Sequence, residues 1–294
     1  MTAGKALLAC ATIVCAGCAS IAGLGDYGEV REDEDSSSAA AGGAGTGSGV
    51  GGTTGVGAGG EGGSCEPVGT TPYSVAVLAS GPLAYLRFEE SAGPNAADEM
   101  CQHHGIAYSE HMFGVDGVET GTKAIAFSGG YVDIVSTPEL QFSGNAPYTI
   151  ELWVRFTALD GSDMLVGKSQ DLAGWSLARQ VKALNETEWR SWRCGPVACN
   201  HLTASATGLE LDQWLHIATT YDGMETALYI DGQLVEAEPS THAVEATGNP
   251  VRIGNAAMND RTLDGHVDEV AIYDRALSAT EIGDHVNQVS FASR

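Results

Sequence analysis

Two indoles and two guanidiniums fall within one short run, Trp189-Arg190-Ser191-Trp192-Arg193. Exposed indoles stack on sugar faces and anchor protein interfaces, and Arg190 beside them adds a planar charged donor. The alternative for the same residues is an ordinary strand with Trp189 buried. Cys194-Gly195-Pro196-Val197-Ala198-Cys199 follows directly. In an exported chain such a pair reads as a disulfide, leaving Cys65 and Cys101 as the remaining pair. His103, His104 and His111 lie near Cys101, Asp98 and Glu110. Zinc or copper could use such a loop, but adjacent histidines rarely share one ion, so solvated loop histidines are expected.

Catalysis by paired acids finds little to work with. A retaining glycosidase needs two carboxyl groups about 5 to 5.5 Å apart. The acid-rich run Glu29–Glu34 lies where nothing would orient it, and no Gly-x-Ser-x-Gly elbow occurs. Asp268 and Glu269 are adjacent, which on a regular strand sends them to opposite faces. By the same alternation Asp268 shares parity with Val270 and Ile272 and projects toward an apolar interior. There a carboxylate needs backbone N–H groups or a calcium ion.

The elements that must position these residues occupy the later part of the chain. Tyr148, Ile150, Leu152, Val154 and Phe156 alternate with Thr149, Glu151, Trp153 and Arg155, the period of a strand with one buried face. Similar runs lie at 83–88, 123–127, 131–135, 164–168, 175–179, 214–221, 226–230, 251–254 and 266–273. Asp222-Gly223 and Asp231-Gly232 suit tight hairpins between consecutive runs. Ser278 and Glu281 have capping-box spacing, which predicts a short helix from there. Many close-spaced strands with almost no helical periodicity predict an all-β, antiparallel two-sheet sandwich or jelly roll over residues 65–294.

The residues before that domain carry an address. Lys5 precedes a short apolar stretch ending in Cys15-Ala16-Gly17-Cys18, which resembles a bacterial lipobox with Cys18 as the acylated residue. Residues 1–18 are thus expected to be a signal peptide. Residues 19–64 begin acidic and become rich in Gly, Ser and Ala, the composition of a disordered tether. With 38 acidic against 14 basic side chains the formal charge is -24, which argues against nucleic acid as a partner. Beyond the signal no run reaches the ~18 apolar residues of a membrane span, so membrane attachment is expected only through the lipid, at the outer membrane or cell surface; ordinary cleavage near Ala16 or Ala19 would instead make the chain secreted.

The strand runs also carry a resemblance. Leu83–Glu90, Ala126–Val132, Tyr148–Val154, Trp214–Ala218 with Leu228–Gly232, and Asp264–Tyr273 with Ala276–Ile282 resemble, in order, the motifs of a laminin-G-like jelly roll of the concanavalin A-like lectin/glucanase superfamily. The resemblance implies two antiparallel sheets face to face and recognition of carbohydrate or extracellular protein by a monomeric domain. It also implies calcium near one rim, with Glu89 and Asp98 as companions of Asp268. Trp153 and Trp214 align with core positions of the motifs. A surface-anchored, non-catalytic recognition module is the expected function. A glycoside hydrolase of the same fold and a structural envelope protein are the alternatives.

Overall fold

Tyr148, Ile150, Leu152, Val154 and Phe156 all enter one buried core, and the strand that carries them is the centre of a sheet. The structure, a computed structural model, describes residues 67, 69–170, 173–182, 186–196, 198–256 and 261–291. The signal, the tether, Cys18 and Cys65 lie outside the described residues.

In chain order the first strands are β1 (Ala84–Leu86), β2 (Asn95–Ala96), β3 (Gly105–Tyr108), β4 (His111–Asp116), β5 (Lys123–Ser128), β6 (Tyr131–Ile134), β7 (Tyr148–Phe156) and β8 (Asp163–Gln170). Then come β9 (Ala173–Val181), β10 (Thr187–Cys194), β11 (Cys199–Ser205), β12 (Trp214–Tyr221), β13 (Glu225–Ile230), β14 (Gln233–Pro239), β15 (Val251–Ile253) and β16 (Asp264–Tyr273). Helices α1 (Pro72–Ala79) and α2 (Ala279–Asn287) stand at the two ends of this series. One sheet runs β14-β13-β12-β7-β16-β5-β4, with β1 also on β16; the second runs β11-β10-β9-β8-β15-β6-β3-β2. All these pairings are antiparallel. The fold is the expected β-sandwich.

Local chemistry sets the turns and caps. Asp231 and Gly232 both take positive φ, 47° and 76°, the backbone that a two-residue hairpin between β13 and β14 demands. Ser278 and Glu281 cap α2 reciprocally, as their spacing predicts. Helix α1 was not expected; it starts at Pro72 behind the N-cap Thr71, with Ser74 completing the box.

Strand β7 departs from the expectation of one buried face. Thr149, Glu151 and Trp153, on its other side, are also sealed. Helices α1 and α2 lie over that outer face and form a second apolar cluster with Tyr73, Val77, Trp153, Tyr273 and Ile282. The centre of the first sheet is therefore covered on both sides.

Candidate functional site

Strand β10 pairs residue for residue with β9 and β11, so its side chains alternate strictly. Trp189 enters the core, 2% exposed and 6.1 Å from the Phe156 ring. Arg193 enters beside it over the Tyr221 ring. Trp192 and Arg190 take the opposite, outer face of the second sheet and are only partly buried. Arg190 lies 5.5 Å from the Trp192 ring centre, Arg261 5.2 Å, and the His201 ring 5.6 Å. Arg190 also pairs with Glu188, which Lys182 shares. Cys194 and Cys199 are disulfide-bonded at the end of the β10–β11 hairpin, two residues from the Trp192–His201 pair. Of Trp189, Arg190 and Trp192, the structure brings the last two together; Trp189 is packing, and no ligand can reach it.

The acids expected to hold calcium are used otherwise. Both oxygens of Asp98 are occupied by backbone N–H donors, Tyr85 and Met100 on Oδ1, Gln102 and His103 on Oδ2. It organises the loop around itself. Glu89 accepts from Arg87 and from the Lys123 N–H. Asp268 accepts from the Val118 N–H, 2.8 Å away. Asp268 Oδ1 is buried without a partner, and among the described residues no group of three or more His, Cys, Asp or Glu side chains is arranged to hold a metal. Cys101 is disulfide-bonded. His103 is buried, not solvated, whereas His111 is only partly buried and its Nδ1 lies 2.9 Å from the Ser109 carbonyl.

Asp268 and Glu269 correct the alternation argument. Glu269 takes φ 54°, and the β16–β7 register slips between Asp268 and Ala271. This bulge puts one extra residue between Val267 and Val270, which both face the inter-sheet core. Asp268 pairs with Trp153 and thus faces the outer side, away from that core. Glu269 faces the same side, accepting from Tyr85 of the outer cluster and from Arg87. Both carboxyl groups are 0% exposed. Burial, and then the charge of its neighbour Glu269, push the Asp268 pKa well up. Burial raises Glu269 too, against the pull of Arg87 and Tyr85. The two acids are neighbours after all, but sealed ones, with no open groove between them.

A third buried group ties α2 to β7. Glu151 accepts from the Tyr273 hydroxyl at 2.5 Å, and His285 Nδ1 and His216 Nε2 lie 3.0 and 3.2 Å from its oxygens. Burial would raise the Glu151 pKa, but the two imidazoles hold it far below the usual carboxylate range. Burial would lower His285, and Glu151 outweighs that and raises it. His285 Nε2 lies 2.8 Å from the Ser80 hydroxyl at the end of α1. Sequence reading missed this constellation because its members come from four distant elements; Glu151 sitting mid-strand among apolar residues was the available signal.

The family model described as concanavalin A-like lectin/glucanases superfamily matches residues 128–283, just over half of the chain. A search of curated proteins found no match. Among solved structures, the binding domain of Paraclostridial mosquitocidal protein 1 aligns at TM-score 0.59 and 19% identity, over 71% of this chain and 52% of that one. The botulinum neurotoxin DC binding domain, solved in complex with rat synaptotagmin II, aligns at 0.55 and 12%, over 72% and 52%. Domain 4 of the Geobacillus stearothermophilus arabinanase AbnA, solved in complex with arabinotriose, aligns at 0.54 and 18%, over 70% and 98%. The chain thus spans about half the length of the toxin domains and nearly all of the arabinanase domain. At these identities the likeness is one of fold.

Proposed function

The chain belongs to the concanavalin A-like lectin/glucanases superfamily, and on that premise we propose that it is a non-catalytic recognition module. Its ligand is a carbohydrate, with a protein receptor as the second reading, held on the outer face of the second sheet around Trp192 and Arg190. The observation that carries this reading is Trp192 itself, a partly exposed indole ringed by Arg190, Arg261 and His201. An amphipathic ring fixed by cations is the type of group that dominates binding energy. Two structural neighbours support the same reading, the arabinanase domain solved with arabinotriose and the toxin binding domain solved with a synaptotagmin. Against hydrolysis by Asp268 and Glu269 stands their complete burial, which keeps a glycosidic bond from reaching them. In this proposal acylated Cys18 and the tether of residues 19–64 hold the domain at the outer membrane or cell surface.

A glycan array that includes arabinotriose, probed with the purified protein, tests the reading. A hit is expected whose affinity falls by about thirtyfold in Trp192→Ala, the weight of an interface hot spot, and falls also in Arg190→Ala. Undiminished binding in both variants removes this face from consideration. Release of reducing ends from any polysaccharide on the array would show catalysis and overturn the module reading.

A further inference from the structure

A second partly exposed indole, Trp214, lies on the outer face of the first sheet, away from Trp192. It opens β12 opposite Arg155 of β7, which stands opposite His266 of β16. The next row inward is His216, Trp153 and Asp268. Trp153, Arg155, Asp212, Trp214, Asp231 and Phe291 are among the walls of a cleft of about 770 Å³, within the range of small-molecule sites. Trp153 and Trp214 therefore do not fill the inter-sheet core, as their motif positions implied. A cavity of similar size, about 730 Å³, opens beside the Lys182–Glu188 pair, but none of its lining residues is aromatic.

The groups in the cleft select a chemistry. Aromatic surface comes from Trp214 and from Phe291, whose ring meets the buried Trp153 edge-on at 5.6 Å. The Arg155 guanidinium lies 5.0 Å from the Trp214 ring centre and donates to His266 Nδ1. His266 can accept because burial, and then the charge of Arg155, push its pKa down to about 4. Arg155 is only partly buried and lines the cleft, so its guanidinium can present N–H donors to a ligand there. Asp212, Asp231 and Asp116 supply carboxylates at the rim. Asp116 is paired with Lys123; Asp212 and Asp231 around one guanidinium still disfavour an anion, and Arg155 already holds the cationic place beside Trp214. What remains is an uncharged ligand with an apolar C–H face and hydroxyls that both donate and accept.

We propose that this cleft is a second binding site, for a neutral oligosaccharide, independent of the face around Trp192. The ring's C–H face lies against Trp214 and Phe291, its hydroxyls donate to Asp212 and Asp231, and Arg155 donates to its oxygens. A module with two such sites on opposite sheets bridges two glycan chains, or two places on one, and gains avidity from the second contact.

Titration calorimetry of the intact protein with cellotriose, maltotriose and laminaritriose tests this, with trigalacturonic acid and choline as charged counterparts. At least one neutral trisaccharide binds. Trp214→Ala and Asp212→Asn each weaken it about tenfold or more, and Val135→Ala, at an exposed position outside both sites, leaves it unchanged. Asp212 is exposed with φ 61°, a conformation asparagine tolerates, so this variant keeps the fold should Trp214→Ala lose it. No binding of any neutral trisaccharide, binding unchanged in Asp212→Asn, or preference for choline or trigalacturonic acid overturns the proposal. Loss in Trp192→Ala with none in Asp212→Asn moves the sugar to the other sheet, which sinks this site and leaves the earlier reading standing.

Discussion

Glu151→Gln is the substitution whose outcome the structure fixes most tightly. The carboxylate is 0% exposed, and its partners His216, His285 and Tyr273 are 0 to 2% exposed. The glutamine amide keeps one acceptor, removes the charge and presents its NH₂ to groups that themselves donate. Breaking a buried charged pair from one side costs about 3–5 kcal/mol, and a single hydrogen bond to a charged group is worth about 1.5–3 kcal/mol. We expect about 3–5 kcal/mol in urea unfolding, or about 6–20 °C in Tm for a domain of this size. The pH dependence has a definite shape. Glu151 is held below its unfolded pKa, so its contribution is present above about pH 4.3 and is lost as the pH falls below that. His285 is raised above its unfolded pKa, so its contribution is complete below about pH 6.5 and is lost as the pH climbs past that. The gap between the wild type and the variant is therefore widest at mildly acidic pH and narrows on either side. A cost under about 1 kcal/mol, or a gap flat from acid to alkaline pH, would refute the ionic account of this cluster.

Asp268→Asn should behave in the opposite sense. Because burial and Glu269 raise the Asp268 pKa, the folded state keeps a proton that the unfolded state has lost, and wild-type stability falls as the pH rises above about 3.9. The variant escapes that penalty, so its Tm relative to wild type should be higher at pH 8 than at pH 5; equal differences at both would contradict the coupling. Trp189→Ala should cost about 3–5 kcal/mol in chemical unfolding, as a buried indole does. Trp192→Ala should cost clearly less, and reversal of that order would mean the two faces of β10 are misassigned.

The parts of the fold legible beforehand were those with period-two apolar runs, such as β7, β12 and β16, and those with local turn or cap chemistry, such as Asp231-Gly232 and Ser278–Glu281. Short strands such as β2, with only Asn95 and Ala96, offer no period to read. Helix α1 is apolar nearly throughout and shows no amphipathic stripe; only the Thr71–Ser74 spacing marked its start. At Trp189 and Trp192 the information was present: residues three apart on any strand face opposite sides, so only one of the two could be accessible. At Asp268 the same rule misled, because it presumes an unbroken ladder. A positive φ at a glutamate leaves no mark in sequence, and that single residue turned a core-facing acid into an outward one. The calcium expectation came with the resemblance, and the backbone donors that close Asp98 come from β1 and from the loop of residues 100–103.

Helices α1 and α2, the outermost elements of the described domain, meet each other on one face. Ser80 at the end of α1 receives Arg275 on its carbonyl and His285 beside its hydroxyl. Neither end of the domain can therefore peel back alone: loosening the first helix strips His285 of a partner, and loosening the last exposes the histidine–glutamate knot beneath both. Traction at the N-terminus and digestion from the C-terminus must defeat the same latch, so resistance to either should rise and fall with Glu151 and not with how well each helix holds by itself.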